Sequence, residues 1–259
     1  MARFEPSPAR RPAIVAGASS GIGAATAREL ARRGFPVALG ARRIDKLAEL
    51  VDQIRNDGGE AVAFPIDVTD DSSVKYFVGR AIEALGGIEL VVSGAGDMTP
   101  GRIHDISTGD FLEQIQIHLI GANRLATAVL PAMVSRRRGD IIFIGSDTAL
   151  LQRPHMGAYG AAKAGLLAMV KNLQMELEGT GVRASIIHPG PTSTNMGGGL
   201  PLDQLDAMLQ DWVTWGHGRH SYSLRASDIA RNVAFVAQTP RGVNITQIEI
   251  QPEAPLHTP

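Results

Sequence analysis

What most constrains this chain is a rhythm: short, continuous apolar runs alternate with longer amphipathic segments. The runs at 13–17, 37–40, 61–65, 88–93, 140–145, 183–188 and 244–251 predict strands. Several do not alternate with polar residues, as in Ile141-Ile142-Phe143-Ile144. Such runs are buried on both faces, as in a parallel sheet covered by helices. Between them, helices are expected at 21–34, 43–57, 70–86, 107–135, 154–180 and 226–238. Strand–helix alternation of this kind predicts an α/β fold: a doubly wound parallel sheet of about seven strands with helices on both faces, as one domain over 12–259.

Two segments depart from the rhythm. Residues 1–11, rich in Arg and Pro, predict a flexible arm. Residues 190–225 hold Pro191, a glycine run at 197–199, Pro201, both tryptophans (Trp212 and Trp215), Gly216, His217, Gly218 and His220. This stretch follows the C-terminal end of a strand, where open α/β sheets bind ligands, so it is expected to be a substrate lid.

Composition removes several function classes. With 25 Lys+Arg against 26 Asp+Glu, the chain lacks the cationic excess of a nucleic-acid binder. Having no cysteine, it has no disulfide, thiolate nucleophile or Cys-zinc site, and no His-Glu-x-x-His occurs, so no metal is expected. No apolar run reaches the roughly 18 residues of a spanning helix, and residues 1–12 have no apolar core of a signal peptide. A cytoplasmic protein without a membrane partner is expected.

The first strand runs into Gly17-Ala18-Ser19-Ser20-Gly21-Ile22-Gly23 and then a helix. Glycines here allow a tight turn and close approach to a pyrophosphate, which the helix N-terminus receives with free N–H groups. The residue after the second strand selects the dinucleotide. An acid there would hold the ribose 2′-OH of NAD, but the run is Gly40-Ala41-Arg42-Arg43. Guanidinium groups pair instead with a 2′-phosphate, and helix starts otherwise disfavour cations, so NADP(H) is expected over NAD. Ser19 or Ser20 would add a hydroxyl to the same phosphate. Asp67-Val68, ending the third strand, would meet adenine, and Gly94-Ala95-Gly96, after the fourth, would let a cofactor lie flat.

The chemistry concentrates in Tyr159-Gly-Ala-Ala-Lys163, an i, i+4 pair on one helix face. An ammonium beside a phenol favours the phenolate, which would tune the tyrosine for proton exchange with a carbonyl/alcohol pair. Lys163 is one of only four lysines, and Ser146 ends the fifth strand at the same rim.

Taken together, the glycine motif, Asp67-Val68, Ser93–Gly96, Ser146, Tyr159, Lys163 and Pro189-Gly190 resemble, in order and spacing, the short-chain dehydrogenase/reductase superfamily in its compact branch. The resemblance covers nearly all of 12–251. It implies a Rossmann-like NAD(P)(H)-dependent oxidoreductase acting on a small carbonyl/alcohol substrate. Tyr159 would be the general acid/base, Ser146 would orient the substrate oxygen, and Lys163 would hold the nicotinamide ribose. Pro189, Gly190, Thr192 and Thr194 would lie beside the nicotinamide. It also implies a homotetramer or homodimer built through long central helices. The 154–180 helix, apolar nearly all round, agrees with burial on all sides. Two positions depart from the family pattern: Ala16 stands where threonine is common, and His118 where a catalytic asparagine is expected. That asparagine binds a water of the proton relay through its main chain, which a histidine retains. An imidazole titrating near neutral pH would either join the relay or merely fill the space. Asn123, roughly 140° away around the helix, does not replace it. His188 reads as a packed strand-end residue, and His155 as substrate contact or loop surface. The competing function is a non-catalytic dinucleotide-binding sensor or scaffold. A third reading, a sugar-nucleotide epimerase or dehydratase, wants a larger C-terminal region.

Overall fold

The computed structural model describes residues 4–196, 201–216, 218 and 220–256. Seven parallel strands form the central sheet in the order β3-β2-β1-β4-β5-β6-β9. They are β1 (Ala13–Ala16), β2 (Val37–Ala41), β3 (Ala61–Pro65), β4 (Leu90–Ser93), β5 (Gly139–Ile144), β6 (Val182–Pro189) and β9 (Gln247–Ile250). Every residue of β1, β2, β5 and β6 is buried, apolar throughout β1 and β2, while β5 and β6 also bury Asp140, Arg183, Ser185 and His188. Alternate side chains feed two cores. Ala13 and Val15 join Leu30, Leu47 and Val233 on one face, while Ile14 and Ala16 join Phe77, Leu125 and Phe143 on the other.

Helices α1 (Gly21–Arg32), α2 (Ile44–Asn56) and α8 (Ala226–Gln238) cover the first face. The second carries α3 (Asp71–Leu85), α4 (Thr108–Ile115), α5 (Gly121–Ser135) and α6 (Gly157–Glu176). The strand order reverses between β1 and β4, where Ala16 is paired with Ser93. That switch opens a crevice at the C-terminal strand ends, the position at which such sheets hold ligands.

Four findings differ from the sequence reading. The segment 107–135 is not one regular helix, because a π-helical turn, Gln116–Ile120, joins α4 to α5. At 28 residues and mean hydropathy 1.3, the combined helix is long and apolar enough to cross a membrane, contrary to the expectation that no segment is. In this fold α4 and the π turn pack on α6, and α5 packs on α3. On helix α6, the face away from the sheet exposes Ala161, Ala168 and Met175 in the single chain, the side on which burial by another subunit is expected. Within 190–225 the chain forms helix α7 (Leu202–Thr214) and a short parallel pair, β7 (Thr192–Ser193) with β8 (Leu224–Arg225). The glycine run 197–199 and His217 lie outside the described residues. Finally, Arg10 and Arg11, read as arm, are tied down. Arg10 donates to Leu85 O (2.6 Å), and buried Arg11 pairs with Asp140.

Candidate active site

The phosphate end of the crevice is shaped by glycine. Gly17 has φ of 87°, and a Cβ there would stand 2.6 Å from Gly94 O. A Cβ on Gly23 would run into Gly17 O. The turn Gly17–Gly23 can therefore close against Gly94-Ala95 only with glycine at these positions. Ile22 packs on the first core and seats the loop. Ser20 is the N-cap of α1, but its hydroxyl caps nothing. Instead, Ser19 Oγ and Ser20 Oγ both accept from Arg43 Nη2 at 2.8 Å. Arg42 is exposed and acts on this region only by its charge near Asp67. The cationic corner is thus Arg43 with both serines. Thr194 lies across the loop, where a Cβ on Gly21 would meet it at 3.3 Å.

Asp67 accepts from Thr69 Oγ1 (2.7 Å) and Thr69 N (2.9 Å), which holds its carboxyl below the usual range. Val68 packs under Gly121 and lines a small cavity of about 10 Å³ with Ala95, His118 and Lys163, close to the room one water needs. Pro189 ends β6. Gly190 N donates to Ile250 O (2.7 Å), and Thr192 Oγ1 donates to Gly190 O (2.8 Å), which fixes the turn beyond the sheet.

Ser146, Tyr159 and Lys163 converge, all buried. Ser146 caps a single 3₁₀ turn, Asp147–Ala149, its Oγ accepting from Thr148 N (3.2 Å) and Thr148 Oγ1 (2.9 Å). Lys163 Nζ donates to Ile144 O (2.8 Å) and stands 5.6 Å from the centroid of the Tyr159 ring. Burial draws the ammonium down to about 7. Burial also pushes the Tyr159 phenol up to about 12, while its hydrogen bond with Ser146 pulls the other way. The expected lowering of the phenol by Lys163 is therefore not what the structure shows. The ammonium is spent on the Ile144 carbonyl, and desolvation dominates.

His118 is neutral rather than a group titrating near pH 7. Burial, then the Lys163 charge, draws it down to about 3. Its Nε2 lies 2.6 Å from Asp97 O, a carbonyl that can only accept, so Nε2 carries the hydrogen. Nδ1 is then a bare acceptor, buried and unpartnered. The ring meets Tyr159 edge-on, centroids 4.9 Å apart at 88°. A Cβ on Gly96 would collide with His118 Cε1, so this imidazole occupies space that only a glycine at 96 leaves. His188 has the same character: its Nδ1 donates to Ser146 O (2.8 Å), and Nε2 is buried and unpartnered.

Sequence reasoning missed how α7 is held. Arg153 makes a bidentate pair with Asp147 (2.7 and 2.6 Å) and lies over the Trp212 ring of α7. Trp212 Nε1 donates to Pro154 O (2.8 Å), while Asp211 takes Arg102 (2.5 Å) and His155 (2.7 Å). His155, with φ of 65°, therefore ties the 147–158 loop to α7. The presence of both tryptophans in this segment was the only hint. Among the described residues, no group of three or more His, Asp or Glu could hold a metal ion.

A family model described as short chain dehydrogenase matches residues 11–204. The chain is 31% identical over 240 residues to glycine betaine reductase ATRR of Emericella nidulans, covering 93% of this chain but 18% of that much longer one. It is 33% identical to 2,3-dihydro-2,3-dihydroxybenzoate dehydrogenase of Bacillus subtilis over 192 residues, 74% of each chain. Among solved structures, it is similar to an alcohol dehydrogenase from Thermococcus sibiricus complexed with 5-hydroxy-NADP. That likeness has a TM-score of 0.80 and 28% identity, covering 95% of this chain and 100% of the other.

Proposed function

Since the chain belongs to the short-chain dehydrogenase/reductase family, oxidoreductases that act on CH–OH groups with NAD(P), we propose that it is an NADP(H)-dependent reductase of a small carbonyl compound, with Tyr159 as its acid/base. The observation that carries this reading is the convergence of Ser146, Tyr159 and Lys163, buried together beyond the C-terminal end of β5. A binding-only protein would need none of the three.

The chain fits the dinucleotide. Glycines let the Gly17–Gly23 turn close tightly on Gly94-Ala95, and α1 presents free N–H groups to a pyrophosphate. Arg43, fixed by Ser19 and Ser20, supports NADP over NAD, since a planar guanidinium with two hydroxyls matches a phosphate. Arg42, Asp67, Val68, Gly94, Ala95, Gly96, Pro189, Gly190, Thr192 and Thr194 would complete the cofactor wall. When bound, NADPH supplies the hydride to the carbonyl carbon.

The protein's own part is proton transfer and orientation. A phenol pushed up to about 12 stays protonated at neutral pH, which is the form needed to donate to a carbonyl oxygen. Ser146 hydrogen-bonds the phenol and would share the same oxygen. Lys163 would hold the ribose and pass protons toward solvent. His118, locked neutral, would serve as a fixed acceptor beside Lys163 without changing charge. The exposed stripe Ala161, Ala168, Met175 on α6 supports a homodimer or homotetramer through this face.

The reading is tested by following loss of reduced-nicotinamide absorbance with a panel of ketones, quinones and aldehydes. Turnover with NADPH, several-fold better than with NADH, is the expected result. Tight NADPH binding with no turnover on any substrate class would favour the sensor reading.

A further inference from the structure

A cavity of about 670 Å³ lies at the opposite end of the sheet from Tyr159, below the first residues of β5 and β6. Six arginines line it: Arg11, Arg136, Arg137, Arg138, Arg183 and Arg241. Against them stand four carboxylates, Glu5, Glu89, Asp140 and Glu178, so two positive charges are in excess. The imbalance is sharpest at the cavity's inner wall. Arg11, Arg183 and Arg241, with side chains only 10–13% exposed, surround the single carboxylate of Asp140.

Asp140 cannot neutralise all three. Its oxygens are taken by Arg11 and by Arg183, the latter at 2.6 and 3.0 Å. Arg183 also donates to the Thr239, Pro240 and Val243 carbonyls. Arg241 is left at 3.8 Å from Asp140, with one hydrogen bond, to Gly181 O. Burial and the neighbouring Arg183 pull its guanidinium down from its ordinary range. At the mouth, Arg136 and Arg137 each give one nitrogen to a backbone carbonyl, Ile88 O and Gly179 O. Their other N–H groups have no partner among the described residues.

A second observation points the same way. Arg137 sits at φ of 54°, a left-handed position after α5 where glycine is the usual residue. An arginine there carries backbone strain and aims another cation at the cavity rim.

We propose that this cavity binds a small, multiply charged anion, one bearing phosphate or carboxylate groups, independently of the dinucleotide crevice. Guanidinium forks match both groups in bidentate geometry, and such pairs are strongest where water is excluded. The ligand would join the N-terminal residues, β5, β6 and the turn after α8. Bound to the folded state alone, it would raise the melting temperature.

The test uses the whole protein saturated with NADPH, so that the probe does not report on the cofactor crevice. Thermal melting and calorimetric titration are run with pyrophosphate and, separately, with citrate. At one hundred times its Kd, either probe should raise Tm by about 5 °C. A response to pyrophosphate alone assigns a phosphate ester, to citrate alone a polycarboxylate, and to both a site that counts charge. Arg241→Ala and Arg137→Gly should each weaken binding about tenfold or more while NADPH turnover stays unchanged, and Arg43→Ala should leave the response intact. Arg137→Gly suits the left-handed backbone, so it remains informative if Arg241→Ala fails to fold. No response to either anion would overturn the proposal, as would a response that Arg137→Gly leaves unaltered.

Discussion

The two ends of the sheet bury ionisable groups in opposite ways. At the C-terminal rim, Tyr159, Lys163 and His118 are buried with hydrogen bonds to carbonyls or hydroxyls but without an opposite charge in contact. Each is pushed toward its neutral form, to about 12, 7 and 3 respectively. At the base, three guanidinium groups meet a carboxylate and a ring of carbonyls, and geometry holds the charges in place. Burial shifts proton affinity most where counter-charge is withheld, as at the rim and at Arg241, the guanidinium farthest from Asp140. Where counter-charge is supplied, burial ties distant segments together, here the N-terminus, β5, β6 and the turn after α8.

Removing the phenol at the rim gives the largest expected effect. Tyr159→Phe should lower kcat by roughly 10²–10⁴-fold with NADPH affinity nearly unchanged. A variant that keeps full turnover would end the acid/base assignment. At the base, Asp140→Ala leaves three buried guanidinium groups without their carboxylate and should cost about 3–5 kcal/mol in urea unfolding. If the loss were below about 1 kcal/mol, the carbonyls alone would suffice and the contrast between the ends would collapse.

His118 gives an effect visible only in acid. Its folded-state value of about 3 lies below its ordinary 6.5, so between them the unfolded chain binds a proton that the folded chain refuses. Stability falls as pH drops through that window. His118→Asn should remove about 3 kcal/mol of the fall between pH 6.5 and 4, read from urea midpoints. An unchanged acid slope would mean that the imidazole accepts a proton in place. Arg43→Ala should weaken NADPH, and not NADH, roughly tenfold or more in fluorescence titration, the loss of a charge-assisted pair. Arg42→Ala should change it least, by less than about threefold, since an exposed charge is screened.

The sheet was legible because β1, β2 and β4 and the end of β5 are continuous apolar runs, whereas the Asp140–Arg183 pair buried in β5 and β6 follows no such pattern. The candidate site was legible as far as spacing reaches: Tyr159 and Lys163 share a helix face, and the glycines mark a turn. What spacing does not carry is direction. Arg42 and Arg43 look equivalent in sequence, yet only Arg43 turns back onto Ser19 and Ser20. Helix α7 was hidden because its partners, Arg102, Pro154 and His155, come from two separate loops. The π turn escaped because one extra residue per turn leaves an apolar segment still reading as helix. The proton affinities of Tyr159, Lys163 and His118 depend on burial, which only the assembled layers create.

The close fit of His118 against Gly96 restricts the order in which this site can change. With the imidazole present, a Cβ at 96 would run into His118 Cε1; a smaller residue at 118 would remove that collision. Positions 96 and 118 are therefore coupled: alanine at 96 forces the imidazole to move unless residue 118 has changed first.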